Sequence, residues 1–110
     1  MSRAQNLLLA AVRLLEMYRP GEPFHLYLKN YFARNKKHGS NDRRILRDLC
    51  YAYFRIGDSF KELLISQRIA LGYYLLTVDP MPFIKEVHPD WPEPGSADTH
   101  SRAEIGRAHV

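Results

Sequence analysis

Apolar residues recur at helical spacing in several segments, and no segment alternates apolar and polar positions over the length of a strand. A first helix is predicted over residues 2–18, with Ser2 as its N-cap. A second is predicted over residues 23–36, because Pro23 suits the first helical position. An aromatic stripe marks its core face: Phe24, Tyr27, Leu28, Tyr31 and Phe32. The pattern therefore predicts an all-α fold.

A third helix is predicted over residues 41–56, with Ser40 as its N-cap and Gly57 as its C-terminal cap. Its predicted apolar face comprises Ile45, Leu46, Leu49, Cys50, Ala52, Tyr53 and Ile56. The opposite side carries a ridge of residues four apart: Arg43, Arg47, Tyr51 and Arg55. Three shorter helices are predicted after it: one that begins at Ser59 and contains Phe60, Leu63 and Leu64, one over residues 67–77 and one over residues 81–87.

The length of 110 residues suits one domain, which we assign to residues 1–91. Residues 92–110 lack periodicity and are predicted to be a disordered tail. If Ile105 to Val110 are read as ATC-GGA-AGA-GCA-CAC-GTC, they resemble a sequencing-library adapter. We therefore expect the chain end to be an assembly artefact, with the gene continuing beyond about residue 100; a genuine tail is the alternative.

The net charge of +4 is unevenly distributed along the chain. Residues 28–55 carry eight Lys or Arg and two Asp, a local charge of +6, whereas residues 56–100 carry three basic and seven acidic side chains, a local charge of −4. A positive block of this kind attracts polyanions through counterion release. A solvated basic face without a partner is the alternative interpretation.

No nucleotide-binding, metalloprotease or serine-hydrolase motif occurs, and the five histidines lack metal-ligand spacing. Cys50 is expected to be a buried structural thiol. Helix capping accounts for Asp42, and i, i+4 pairing with Arg44 accounts for Asp48. We therefore predict neither an active site nor a metal site in this chain.

The longest apolar run, Leu7 to Val12, is too short to cross a membrane, and no signal peptide is recognised. A single cysteine fits the reducing cytoplasm, which is the predicted location.

The basic block is the candidate binding site for RNA or DNA. Arginine contacts phosphate as a fork, and a helix N-terminus offers free N–H groups to the same anion. The candidate RNA-binding residues are Lys36, Lys37, Arg43, Arg44, Arg47, Tyr51 and Arg55.

The segment LKNYFARNKKHGSNDRRILRDLCYAYFR, residues 28–55, resembles the NusB-like N-terminal domain of the RsmB/NOP family of RNA cytosine-5 methyltransferases. The match consists of a Gly-Ser-x-Asp-Arg-Arg motif between two helices, followed by a Tyr-x-x-hydrophobic-Arg pattern. The matching residues are Gly39, Ser40, Asp42, Arg43, Arg44, Tyr51, Phe54 and Arg55. RIALGYYLL, residues 68–76, is similar to the family's leucine-rich helix with a central glycine, here Gly72. The resemblance covers roughly residues 4–88.

The resemblance implies a NusB-like helical bundle, incomplete here, that assists RNA recognition. It places catalysis, S-adenosylmethionine and two catalytic cysteines in a C-terminal Rossmann-type domain that this sequence lacks. Cys50 follows Leu49 rather than the family's proline or threonine, so no catalytic role is carried over to it. Arg43, Arg44 and Arg55 are the positions implied to matter most, although the motif's Asp–Arg pair is equally explained as a structural ion pair.

We thus expect a non-catalytic, RNA-binding N-terminal module of an S-adenosylmethionine-dependent rRNA cytosine-5 methyltransferase, with rRNA as its partner. One alternative is a free-standing protein-interaction domain, as in transcription antitermination. A DNA-binding protein ranks last, because no helix-turn-helix spacing is found.

Overall fold

Five α-helices form the part of the chain that the computed structural model describes, residues 2–93, and no strand occurs within it. The helices are α1 (Arg3–Met17), α2 (Phe24–Arg34), α3 (Ser40–Ile56), α4 (Ile65–Leu76) and α5 (Met81–Val87). The predicted all-α class is confirmed. Most of the predicted tail, residues 94–110, lies outside the described residues.

The start of α1 is fixed by its cap. The Ser2 hydroxyl accepts a hydrogen bond from the Gln5 backbone N–H, and the Gln5 side chain accepts one from the Ser2 N–H, which completes a capping box. The helix ends at Tyr18, which is extended. Its buried face carries Ala4, Leu7, Leu8, Ala11 and Leu14. The predicted N-cap is confirmed.

Aromatic contacts hold α2 against the end of α1. The Tyr18 and Phe24 ring centroids are 5.0 Å apart with nearly perpendicular planes, and the Tyr27 hydroxyl donates to the Leu14 carbonyl at 2.7 Å. Leu28 is the buried residue of this helix, whereas the predicted stripe of aromatic residues is only half-buried. Pro23 precedes the helix as its N-cap instead of being its first residue.

The central helix is α3, which packs against both α1 and α4. Leu46, Leu49 and Cys50 on its inner face are fully buried. Gly57 ends it with φ of +56°, a conformation that side chains disfavour. Gly39 is the N-cap and Ser40 is already helical, so the predicted cap was wrong by one residue.

The apolar helix α4 approaches the α3 backbone closely. A Cβ on Gly72 would lie 3.1 Å from the Ala52 carbonyl oxygen and 3.3 Å from an Ile56 methyl group. Glycine at this position therefore allows α3 and α4 to pack tightly, and Ile69 and Leu71 are fully buried beside it. The helix begins two residues before the predicted start at Gln67, whose side chain accepts from the Leu64 N–H.

The turn between α3 and α4 is not helical, so the helix predicted from Ser59 was wrong. Phe60 has φ of +58°, which a right-handed helix cannot accommodate. Leu63 is nonetheless buried, and its N–H donates to the Phe60 carbonyl at 3.0 Å. Leu63 therefore contributes to the core from a turn, whereas Leu64 is exposed.

The segment after α5 belongs to the folded domain. Trp91 is buried, with its ring 4.9 Å from that of Tyr74, and the Tyr74 hydroxyl donates to the Pro92 carbonyl at 2.7 Å. Glu93 forms an ion pair with Lys85 of α5 at 3.0 Å. Pro92 and Glu93, the first two residues of the predicted tail, thus contact α4 and α5.

Candidate nucleic-acid interface

The exposed side of α3 and the loop before it, residues 35–39, form a continuous surface that we call the basic face. It contains all seven predicted RNA-binding residues: Lys36, Lys37, Arg43, Arg44, Arg47, Tyr51 and Arg55. Each is exposed. The 3.6-residue repeat places them outward because the apolar positions of the same helix face α1 and α4.

The loop is anchored to the start of α3 by His38. The His38 Nε2 lies 3.0 Å from the Tyr31 hydroxyl, and its backbone carbonyl accepts a hydrogen bond from Arg43 Nε at 3.0 Å. The Arg43 guanidinium also lies 5.7 Å from the centre of the Phe32 ring. Arg43 thus has a structural role in addition to the predicted RNA contact.

Burial lowers the pKa of His38, and the nearby charge of Lys37 lowers it further. The neutral imidazole is therefore favoured between the aromatic side chains of α2 and the first turn of α3. Lys36 and Lys37, immediately before it, remain exposed. The buried histidine holds in place a loop whose two lysines face outward.

The other edge of the basic face borders a groove of about 630 Å³ between α3 and the α4–α5 region. Arg44, Tyr51 and Arg55 line it, together with Leu76 and Val78. Three carboxylates also line it, those of Asp48, Asp79 and Glu86. The structure thus divides the predicted set: Arg44, Tyr51 and Arg55 border this mixed-charge groove, whereas Arg43 lies toward the loop.

The cations of the basic face form no ion pair within residues 2–93. Among residues 2–93, no carboxylate lies within ion-pair distance of the face's two lysines or four arginines. The predicted pairing of Arg44 with Asp48 is absent, and Arg44 Nη2 instead donates to Asn41 Oδ1 at 2.8 Å. The motif's Asp42 pairs with Arg3 of α1, whose Nε donates to Asp42 Oδ1 at 2.7 Å. The basic face therefore keeps its charge available.

Phe54 is a surface residue that we did not predict as part of the site. Its side chain is 42% exposed and lies beside Tyr51, which is 36% exposed. Phe24 of α2 contacts both rings, with centroids 4.9 Å from Phe54 and 5.5 Å from Tyr51. The i, i+3 spacing of Tyr51 and Phe54 indicates a shared side, but the sequence gives no sign that Phe54 stays exposed.

Other chemistry is limited in the described part of the chain. Cys50 is fully buried, and burial raises the pKa of its thiol to about 12, as suits the predicted structural role. Residues 2–93 contain no group of three His, Cys, Asp or Glu placed to hold a metal ion. None of their helices combines the length and apolar character needed to cross a membrane.

Comparison with models of known protein families, with curated proteins and with solved structures gives no match to this chain.

Proposed function

We propose that the basic face binds the sugar–phosphate backbone of RNA. The observation that carries the proposal is the set of six exposed cations on α3 and its leading loop, none of which is paired with a carboxylate within residues 2–93. A polyanion gains most from such cations, because binding releases its counterions without first breaking ion pairs within the protein. Exposed arginines add forked hydrogen bonds to phosphate oxygens.

The order of side chains along α3 suits a linear ligand. Arg47, Tyr51 and Arg55 follow one another at intervals of four residues, which separates them by about 6 Å each along the helix axis. Arg47 and Arg55 are therefore about 12 Å apart along the axis, and one strand that follows the helix can place a phosphate at each of them. Lys36 and Lys37 extend the positive surface beyond the N-terminus of α3.

We further propose that this module serves an S-adenosylmethionine-dependent rRNA cytosine-5 methyltransferase as its N-terminal, non-catalytic domain. The resemblance of residues 28–55 to the NusB-like domain of that family and the all-helical fold support this assignment. The described residues do not fit the cofactor: Rossmann-type pockets form at the carboxyl ends of strands, and residues 2–93 contain no strand. Cofactor binding would belong to another domain of the methyltransferase.

The test of RNA binding is a titration of the 110-residue chain with a fluorescently labelled single-stranded RNA at several salt concentrations. Affinity should fall steeply with salt. The double variant Arg47→Gln/Arg55→Gln should bind more weakly and should make the log–log salt slope shallower by about 1.4, because each phosphate contact contributes about 0.7 for single strands. The double variant Arg13→Gln/Arg19→Gln, which removes two exposed arginines outside the basic face, is the matched control.

Absent binding, or affinity independent of salt, would refute the proposal. An equal loss of affinity in Arg13→Gln/Arg19→Gln and in the α3 double variant would mean that net charge, and not the basic face, attracts the RNA.

A protein partner is the second candidate, and the groove beside α4 and α5 favours it. Val78 is fully exposed there, beside the partly exposed Leu76. Exposed apolar residues rimmed by charges are typical of protein-binding surfaces. The RNA titration distinguishes the two candidates, because a surface that binds only protein predicts no salt-dependent RNA binding.

A further inference from the structure

We infer that Tyr51 and Phe54 form a stacking platform for unpaired bases, so that the RNA bound by the basic face is single-stranded. This inference rests on the proposed function and specifies its ligand class. The two side chains are 36% and 42% exposed, on the same face of α3 as the unpaired arginines. Aromatic side chains beside basic ones are the combination with which proteins hold single strands.

No ring within residues 2–93 stacks parallel on Tyr51 or Phe54. Within residues 2–93, Phe24 meets Tyr51 at an interplanar angle of 80° and Phe54 at 73°. Tyr18 and Tyr53 meet Phe54 at 77° and 73°. These edge contacts fix the positions of the two rings while no aromatic side chain stacks on them. Because Tyr51 is 36% and Phe54 42% exposed, a flat nucleobase can stack on the parts of the rings that these contacts leave open.

The platform is supported from beneath. Phe24 is half-buried and contacts both Tyr51 and Phe54, as well as Tyr18 and Tyr27. Tyr27 is fixed by its hydrogen bond to the Leu14 carbonyl. The rings therefore lose little conformational freedom when a base binds, which favours affinity.

Positive charge flanks the aromatic pair along α3. Arg47 lies one helical turn before Tyr51, and Arg55 lies one turn after it. A strand that follows the helix can bind phosphates to these arginines while its bases turn inward onto the rings. The positive charge favours RNA as the ligand over a second copy of this protein. If two copies met through this surface, their unpaired cations would repel each other.

The need for an accessible base face determines whether single-stranded or duplex RNA can bind to the platform. In a duplex each base already stacks on its neighbours, and its face is not accessible without unstacking. Single-stranded loops and ends present faces that aromatic side chains can cover. The platform should therefore distinguish single-stranded from duplex RNA without reading sequence.

The experiment compares a labelled oligouridylate of about 12 nucleotides, within the site sizes of single-strand binders, with an RNA duplex of about 12 base pairs at one salt concentration. The 110-residue chain should bind the single strand more tightly. Tyr51→Leu and Phe54→Leu keep apolar bulk and remove the ring; each should weaken single-strand binding by about fivefold or more. Their salt slopes should match that of the unsubstituted chain, because no phosphate contact is lost.

Two variants keep a ring and should retain affinity: Tyr51→Phe and Phe54→Trp. Leu9→Ala changes a 38% exposed apolar residue of α1 and is the matched control for general surface effects. Circular dichroism establishes that each variant is folded before it is titrated. If a leucine variant does not fold, Tyr51→Ser and Phe54→Gln provide the same comparison without the ring.

The outcomes separate the inference from the function on which it rests. Salt-dependent binding that is equal for both RNAs, or unchanged in the leucine variants, would overturn the platform and leave the basic face as an RNA site. Absence of salt-dependent binding to both RNAs would overturn the proposed function itself. Sedimentation that shows a dimer dissociated by Phe54→Leu would make the rings a contact between two copies and would also overturn the platform.

Discussion

The thiol of Cys50 lies on the inner face of α3, fully buried, and burial raises its pKa to about 12. The thiolate is the reactive form, so the folded protein should resist thiol reagents at pH 8. With Ellman's reagent, we expect no rapid labelling of the native chain and complete labelling in denaturant. Ser59→Cys, in the exposed turn after α3, is the control and should label at once with one equivalent. Rapid labelling of native Cys50 would contradict its burial.

His38 should make the free energy of unfolding depend on pH. Because burial lowers its pKa below the usual 6.5, the unfolded chain binds a proton that the folded chain resists. The contribution of His38 is fully present above about pH 6.5 and is lost as the pH falls through the lowered pKa of the folded state. Urea titrations between pH 5 and 8 should show this fall, and His38→Gln should flatten it.

The control for this experiment is His25→Gln, which removes an exposed histidine of α2. A profile unchanged by His38→Gln would mean that His38 is equally hydrated in both states. Since Arg43 bonds the backbone carbonyl of His38 and not its ring, the Gln variant keeps that anchor of the loop.

Between elements, α4 approaches the backbone of α3 closely at Gly72. Gly72→Val would add three carbon atoms beside the Ala52 carbonyl, which is backbone and cannot move aside cheaply. We expect a loss of about 2–3 kcal/mol in the free energy of unfolding, as for other overpacked cores. Ala33→Val places the same side chain on the exposed side of α2 and should cost about 0.7 kcal/mol or less.

Chemical denaturation followed by circular dichroism measures both variants. Helix propensity favours valine over glycine, so a loss in Gly72→Val reports the contact between α3 and α4. A loss in Gly72→Val no larger than that in Ala33→Val would contradict the close packing at Gly72.

On the scale of the whole molecule, residues 88–93 close the bundle. Trp91 packs between Tyr74 of α4 and His88, with ring centroids at 4.9 and 4.1 Å. Trp91→Ala should lower the free energy of unfolding by about 3 kcal/mol or more, as is usual when a buried aromatic side chain is removed. Val78→Ala, at a fully exposed site, should change it by less than about 0.5 kcal/mol.

Trp91 is the only tryptophan of the chain, so its fluorescence reports on this segment. Denaturation curves from fluorescence and from circular dichroism should coincide if residues 88–93 unfold with the helices. A separate, earlier fluorescence transition would show that the segment is not part of the cooperative unit.

The sequence predicted which residues belong to the candidate site, but not the contacts that they make. The helical repeat of α3 predicted that its arginines point outward. They do so because the opposite, apolar face of the same helix is buried. The predicted pairing of Arg44 with Asp48 was wrong, because Arg44 donates a hydrogen bond to Asn41. Asp42 pairs with Arg3 of α1. The partner of a charged side chain depends on the residues that lie near it in the folded structure. The periodicity of the sequence does not predict these neighbours.

The sequence by itself determined the helical class, most helix ends, the burial of Cys50 and the exposure of the basic face, because these follow from local repeats and caps. The tertiary structure decided the turn at Phe60, the burial of His38, the inclusion of Trp91 in the core and the partial exposure of Phe54. Each of these depends on contacts between elements distant in the chain or on backbone angles that packing imposes. Spacing along one helix carries no information about such contacts.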